Sequence, residues 1–258
     1  APVELIDSHS HLDAGEFDLD RGAVIGRAEA AGVVAQVLPA VALAGFAKLR
    51  DLCADHAGLH AAYGLHPMYL AAHRDDHLDL LRAWIERERP VAVGECGLDF
   101  FIADPEPDAQ RRYFLRQLEL AREFDLPVIV HARRAMDETI ATLRRVGGLR
   151  GVVHSFSGSA EQARQLWKSG FLLGIGGPVT YDRARRLRDL VARMPIEFLL
   201  LETDSPDQPL SGYRAERNEP ARLREVLGVV AALRDEDAAS VALATTRNAR
   251  ALFGLAQT

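Results

Sequence analysis

Short apolar runs alternate with amphipathic stretches along the whole chain, at a regular beat. Taking all-apolar or period-two runs as strands and 3.6-residue periodicity as helices predicts strands at 4–11, 35–41, 60–66, 91–96, 127–132, 151–156, 171–176 and 197–203. Helical patterns fall between them at 20–31, 43–56, 76–88, 106–125, 135–146, 159–169, 182–193 and 219–233, with another at 236–253. Strand then helix, eight times over, is the signature of a parallel α/β barrel. At 258 residues the chain suits one TIM (β/α)8 barrel, a single domain over 1–258. Pro127 and Gly170 fall at element ends, and no stretch reads as an interdomain linker. The longest irregular piece, 205–220, follows the eighth strand, where barrel loops shape substrate sites.

The first strand breaks its own pattern. In LIDSHSHLD, residues 5–13, Asp7, His9, His11 and Asp13 occupy every second position, so on a strand they share the face of Leu5, which should be core. Polar groups interrupt the other apolar runs near their C-terminal ends: His66 in GLHP, Glu95 and Asp99 in VAVGECGLD, His131 in PVIVHAR, His154 in GVVHSF, Asp204 in FLLLETDSP. That is the rim where barrel enzymes carry their chemistry. Each signal is weak alone, since a strand-end carboxylate commonly caps a helix or pairs with a cation. Jointly they are harder to explain as structure, because each buried unpaired polar group costs about 1–3 kcal/mol. Divalent metal removes that cost. Imidazole with carboxylate suits zinc, manganese, iron or nickel, and a bridging carboxylate can hold two ions about 3.5–4 Å apart. Glu95, central in the strand order, is the candidate bridge.

Composition narrows the class. The chain is 48% hydrophobic and 26% charged, has no apolar run of bilayer length and shows no signal-peptide pattern at its start, so a soluble, cytoplasmic protein without membrane contact is expected. Two cysteines, Cys53 and Cys96, are too few for a disulfide framework and read as reduced thiols. A formal charge of −6 argues against a wholesale nucleic-acid coat, but not against an enzyme whose metal ions bind phosphate.

Six segments, DSHSHLD (7–13), GLHP (64–67), GECGLD (94–99), HAR (131–133), HSFSG (154–158) and ETDSP (202–206), together resemble the TatD family of metal-dependent deoxyribonucleases, among the amidohydrolase-like barrels. They stand in family order over nearly the whole chain, and 201–220 is similar to the family's YjjV-like branch. The resemblance implies two divalent ions, drawn from Zn, Mn, Mg, Ni or Fe: His9, His11 and Asp204 on one, His131 and His154 on the other, Glu95 between them. It implies catalytic roles for Asp204, as general base toward a water whose pKa the metal lowers to about 7, and for Glu95, with His66 and Arg133 at the substrate side. Cys96 departs from the family's more usual aliphatic residue, but its parity relative to Glu95 points it away from the metals.

The resemblance implies hydrolysis of DNA or a small phosphodiester, specifically by a 3′–5′ exonuclease on single-stranded DNA, and a monomer is expected. Two alternatives stand beside it: an amidohydrolase or esterase acting on a cyclic amide, lactone or aminoacyl ester, and a non-catalytic metal-stabilised barrel binding partners through 205–220. For Arg133 the plain alternative is a surface pair with Asp137 or Glu138. Arg214 and Arg217 either track a nucleic-acid backbone or are solvated loop charges.

Overall fold

The computed structural model describes residues 2–257. Its strands are β1 (Leu5–Asp7), β2 (Val33–Pro39), β3 (Leu59–Tyr63), β4 (Ala92–Asp99), β5 (Val128–Arg133), β6 (Gly151–Val153), β7 (Phe171–Ile175) and β8 (Leu199–Leu201). The helices are α1 (Arg21–Ala30), α2 (Phe46–Asp55), α3 (Asp76–Glu88), α4 (Pro107–Glu123), α5 (Met136–Val146), α6 (Ala160–Lys168), α7 (Arg185–Arg193), α8 (Leu223–Arg234) and α9 (Ala238–Phe253). The strand order β1 to β8 follows the sequence, and past the last strand the ladder returns to the first, Ser8 N–H donating to the Leu201 carbonyl at 3.0 Å. This is the (β/α)8 barrel class. No helix among the described residues is long and apolar enough to cross a membrane.

Contacts divide the chain into two compact units. The first comprises residues up to Leu38, Ser155–Ala160 and the chain from Leu172 on. In it β1 runs parallel to β2 and β7 to β8. Helix α9 turns Val241, Ala242, Thr245, Ala249 and Leu252 inward, a stripe at helical spacing. Asn248 donates to the Ile196 and Leu199 carbonyls at 2.7 and 2.9 Å and fixes α9 beside β8.

The second unit, Pro39–His154 with Glu161–Phe171, holds the parallel run β3–β4–β5–β6. Every residue of β4 is buried, as expected of a parallel strand covered on both faces. Two buried amides of α4 fasten the ends of this run. Gln117 accepts from Leu65 N–H at 2.8 Å and donates to the Leu65 carbonyl at 3.1 Å. Gln110 does the same for Asp99, at 2.7 and 2.9 Å.

Element boundaries depart from expectation where the chain carries polar groups. β1 ends at Asp7 and not at 11, β6 at Val153 and not at 156, β8 at Leu201 and not at 203, whereas β4 continues to Asp99 because its register with β5 holds through Asp99↔Arg133. Helix α8 starts at Leu223, since Pro220–Arg222 forms a 3-10 turn first.

The β4–β5 ladder tolerates no side chain at Gly97, which pairs with His131. Its φ is +150°, and a Cβ there would lie 1.8 Å from the His131 carbonyl oxygen. We predict that Gly97→Ala destabilises the protein by about 2 kcal/mol or more or prevents folding, whereas Gly26→Ala in α1, with nothing within 4 Å of its Cβ, gains up to about 1 kcal/mol. Urea denaturation of the two variants checks this.

Candidate metal centre

The first donor set lies in the first unit, just beyond the strand ends. Although β1 stops at Asp7, hydrogen bonding continues on both sides: Ser10 N–H donates to the Val37 carbonyl at 3.1 Å and His11 N–H to the Ser205 carbonyl at 2.8 Å. Alternation therefore survives through His11, and both imidazoles lie on one side, their Nε2 atoms 3.2 Å apart. Asp204 is delivered to them by its own backbone. It has a left-handed φ of +56°, which aspartate tolerates better than most residues, and its N–H donates to the His9 carbonyl at 2.8 Å. Asp204 Oδ1 sits 3.4 Å from His9 Nε2 and 3.3 Å from His11 Nε2.

The spacing of these three atoms tests whether they suit a metal. Ligands about 2.0–2.1 Å from a tetrahedral ion are separated by roughly 3.3 Å, and this triangle has edges of 3.2, 3.3 and 3.4 Å. Donor chemistry agrees: two imidazoles and one carboxylate are a ligand set for zinc and its first-row neighbours.

Asp7 and Asp13 do not join the face they were expected to share with the histidines. The Asp7 carboxylate turns to the other strand end, accepting Thr203 Oγ1–H at 2.6 Å, Thr203 N–H at 3.0 Å and His9 N–H at 3.1 Å. Burial pushes its pKa up to about 7 against the pull of those donors. Asp13 falls in the turn at Leu12–Asp13, past the end of the alternation.

The second unit holds a second set. Glu95, on β4, is 1% exposed. Its Oε2 lies 3.1 Å from His131 Nδ1 and 2.9 Å from His154 Nε2, and those two nitrogens are 3.4 Å apart, another triangle of coordination size. The other His131 nitrogen, Nε2, donates to Asp99 Oδ2 at 2.7 Å. That bond fixes the tautomer and leaves Nδ1 to face Glu95. A carboxylate behind a ligating histidine is the usual orienting partner. Burial lowers the His131 pKa, but hydrogen bonds to Asp99 and Glu95 outweigh it and raise it overall.

His66 also reaches Glu95 Oε2, from Nε2 at 2.9 Å. Its Nδ1 accepts the Met68 N–H at 3.0 Å, so in the neutral ring the proton is on Nε2 and is donated to Glu95. His66 thus orients the carboxylate and has no lone pair to offer an ion there.

Arg133 is not paired with Asp137 or Glu138. Its Nε donates to Asp99 Oδ2 at 2.8 Å, while Glu138 is taken by Arg111 and Asp137 accepts from Gln162. In the 205–220 loop, Arg217 is committed to Asp20 at 2.7 and 2.9 Å and to the Glu16 carbonyl, and Arg214 lies over the Tyr181 ring; Arg217 is not available to track a strand. Buried Cys96 approaches the Ile129 carbonyl, away from the donors.

The sequence did not assign three supporting residues. Asp99 holds His131 and Arg133 together; Glu202, fully buried, accepts Ser155 N–H at 2.6 Å; Asn218 donates to the carbonyls of Thr203, Asp207 and Gln208 and pins the loop. Asp99 stood among the strand-end carboxylates without a role, Glu202 lies in the matched ETDSP segment without having been singled out, and nothing in the sequence signals Asn218.

Comparison with known proteins agrees with this chemistry. The profile of the family described as "TatD related DNase" matches residues 6–254. The chain is 42% identical over 253 residues to the uncharacterized metal-dependent hydrolase YjjV of Escherichia coli K12, covering 97% of this chain and 98% of that one. It is 35% identical over 259 residues to a protein of Citrobacter koseri named 3′-5′ ssDNA/RNA exonuclease TatD, covering 98% and 100%. The crystal structure of E. coli YjjV, a TatD homolog, superposes with a TM-score of 0.94 at 40% identity, over 99% of this chain and 100% of that one. The chain belongs to the TatD family of metal-dependent hydrolases.

Proposed function

We propose that this hydrolase cleaves phosphodiester bonds with two divalent ions, acting as a 3′–5′ exonuclease on single-stranded DNA. The observation that carries the reading is the pair of donor triangles, His9–His11–Asp204 and Glu95–His131–His154, each with edges suited to one ion. We assign the first triangle to one ion and His131 with His154 to the other, with Glu95 shared, as in the family resemblance. The name of the C. koseri relative supports a nucleic-acid substrate.

Bound ions would supply Lewis acidity at the phosphate and a water acidified toward a pKa of about 7. The chain's residues supply the rest. Asp204 accepts the proton of the attacking water as general base. Arg133, part-exposed and oriented by Asp99, offers its remaining N–H donors to a phosphate oxygen. His66 and Asp99 hold Glu95 and His131 in register through single hydrogen bonds at 2.9 and 2.7 Å. A protein in the cytoplasm, acting as a monomer, completes the proposal.

The test is turnover of metal-reconstituted protein on a 3′-labelled single-stranded oligonucleotide, with bis-p-nitrophenyl phosphate, p-nitrophenyl acetate and hydantoin in parallel. Hydrolysis of the acetate or hydantoin without either phosphodiester sinks the reading and favours an amidohydrolase or esterase. Asp204→Asn should fold normally yet lose about 10²–10⁴-fold in kcat at matched metal content; near wild-type turnover refutes the base assignment. Asp99→Asn should weaken metal binding by roughly 10–100-fold, measured by titration calorimetry, because His131 loses its orienting carboxylate.

A further inference from the structure

Beside the second donor set, an exposed aromatic ring carries two guanidinium groups. Phe101, two residues past β4, is 53% exposed, and both the Arg133 and Arg134 Cζ atoms lie 4.6 Å from its ring centroid. The two cations are not equivalent. Arg133 is held by Asp99, which neutralises it in part. Arg134 is exposed, forms no ion pair among the described residues, and has a left-handed φ of +52° that turns the chain just after β5. Asp99 sets the whole station. Its Oδ1 accepts Phe101 N–H at 3.0 Å, and its Oδ2 accepts from both His131 and Arg133. The ring that supports Arg134 is thereby keyed to the carboxylate that orients His131.

A surface of this kind suits an anion. Stacking on an aromatic ring preorganises a guanidinium while leaving its N–H fork free, and the fork matches phosphate bidentately. The common ring centroid keeps the two guanidinium carbons within about 9 Å of each other, a span that two successive phosphates of one strand can bridge. Resting on the phosphodiester reading above, we infer that Arg134, supported by Phe101, binds the phosphate next to the scissile one, so that the enzyme selects oligonucleotides over isolated phosphodiesters.

The readout is the salt dependence of binding. Each phosphate contact to a single strand contributes about 0.7 to the slope of log K against log salt. Fluorescence anisotropy of a fluorescein-labelled single-stranded oligonucleotide, titrated with metal-loaded protein from 50 to 200 mM NaCl, should show a slope smaller by about 0.7 in Arg134→Ala and little changed in Arg134→Lys. Phe101→Ala should weaken binding several-fold, and Phe101→Trp should restore it. The KM for bis-p-nitrophenyl phosphate, which has a single phosphate, should be unaltered in Arg134→Ala. An unchanged slope in Arg134→Ala overturns the inference, and so does an equal rise in KM for the small diester, which would place Arg134 at the scissile phosphate. Wild-type protein that hydrolyses the small diester without binding the oligonucleotide also overturns it, yet leaves the phosphodiester reading standing. Protein that hydrolyses neither takes down both.

Discussion

One carboxylate oxygen, Glu95 Oε2, has three imidazole nitrogens within 3.1 Å of it in a place almost closed to solvent. An ionised carboxylate so buried costs several kcal/mol unless positive charge or donors compensate it. His66 supplies one donor, because its proton is held on Nε2 by the Met68 N–H. His131 cannot do the same as a neutral ring, since its proton is already given to Asp99. Its Nδ1 meets Glu95 as imidazolium, across a proton carried by Glu95 itself, or through a cation. The raised His131 pKa corresponds to the first, and a divalent ion is the last. In each case a proton or a metal occupies the same place, so a metal entering here displaces a proton, the normal coupling of metal binding to ligand ionisation.

Backbone geometry explains why His9, His11 and Asp204 converge just beyond the ends of β1 and β8, while Glu95 and His131 stay on β4 and β5. A regular β-ladder uses every backbone N–H and C=O and leaves side chains perpendicular to the sheet. Beyond β1 and β8 the backbone keeps partial pairing, through Ser8, His11 and Asp204, while Asp204 adopts a left-handed conformation closed to regular strands. Side chains can then converge on a point without losing hydrogen bonds. The supporting carboxylates Asp7 and Asp99 each accept three donors, so the bend is fixed by local bonds.

The order of strands and helices was legible because apolar periodicity reports burial directly, and the histidine spacing was legible because alternation outlasted β1 by four residues. What the sequence hid were partners distant along the chain. Arg133 could be matched only with Asp137 and Glu138, its neighbours, whereas its carboxylate is Asp99, thirty-four positions away on the adjacent strand. Asp7 and Asp13 looked equivalent to His9 and His11 by parity, but parity does not say where a strand stops or which neighbour offers a better donor. His66 matched a motif whose spacing is silent on tautomer, and only the Met68 contact decides that it is a donor and not a ligand.

The chain carries a formal −6, and an anionic substrate is repelled at long range by such a molecule. Screening over about 8 Å at physiological ionic strength removes most of that field, so the groups within a few ångströms decide capture. Most arginines on the surface are spent on neighbours, as Arg82 is on Glu123 and Arg217 on Asp20. Arg134 is not, and it stands over Phe101 beside Arg133. Other exposed arginines, Arg89, Arg145 and Arg247 among them, also lack an ion pair among the described residues; what sets Arg134 apart is its place over Phe101 beside Arg133 and the second donor set, where local electrostatics favours an anion even at unfavourable net charge.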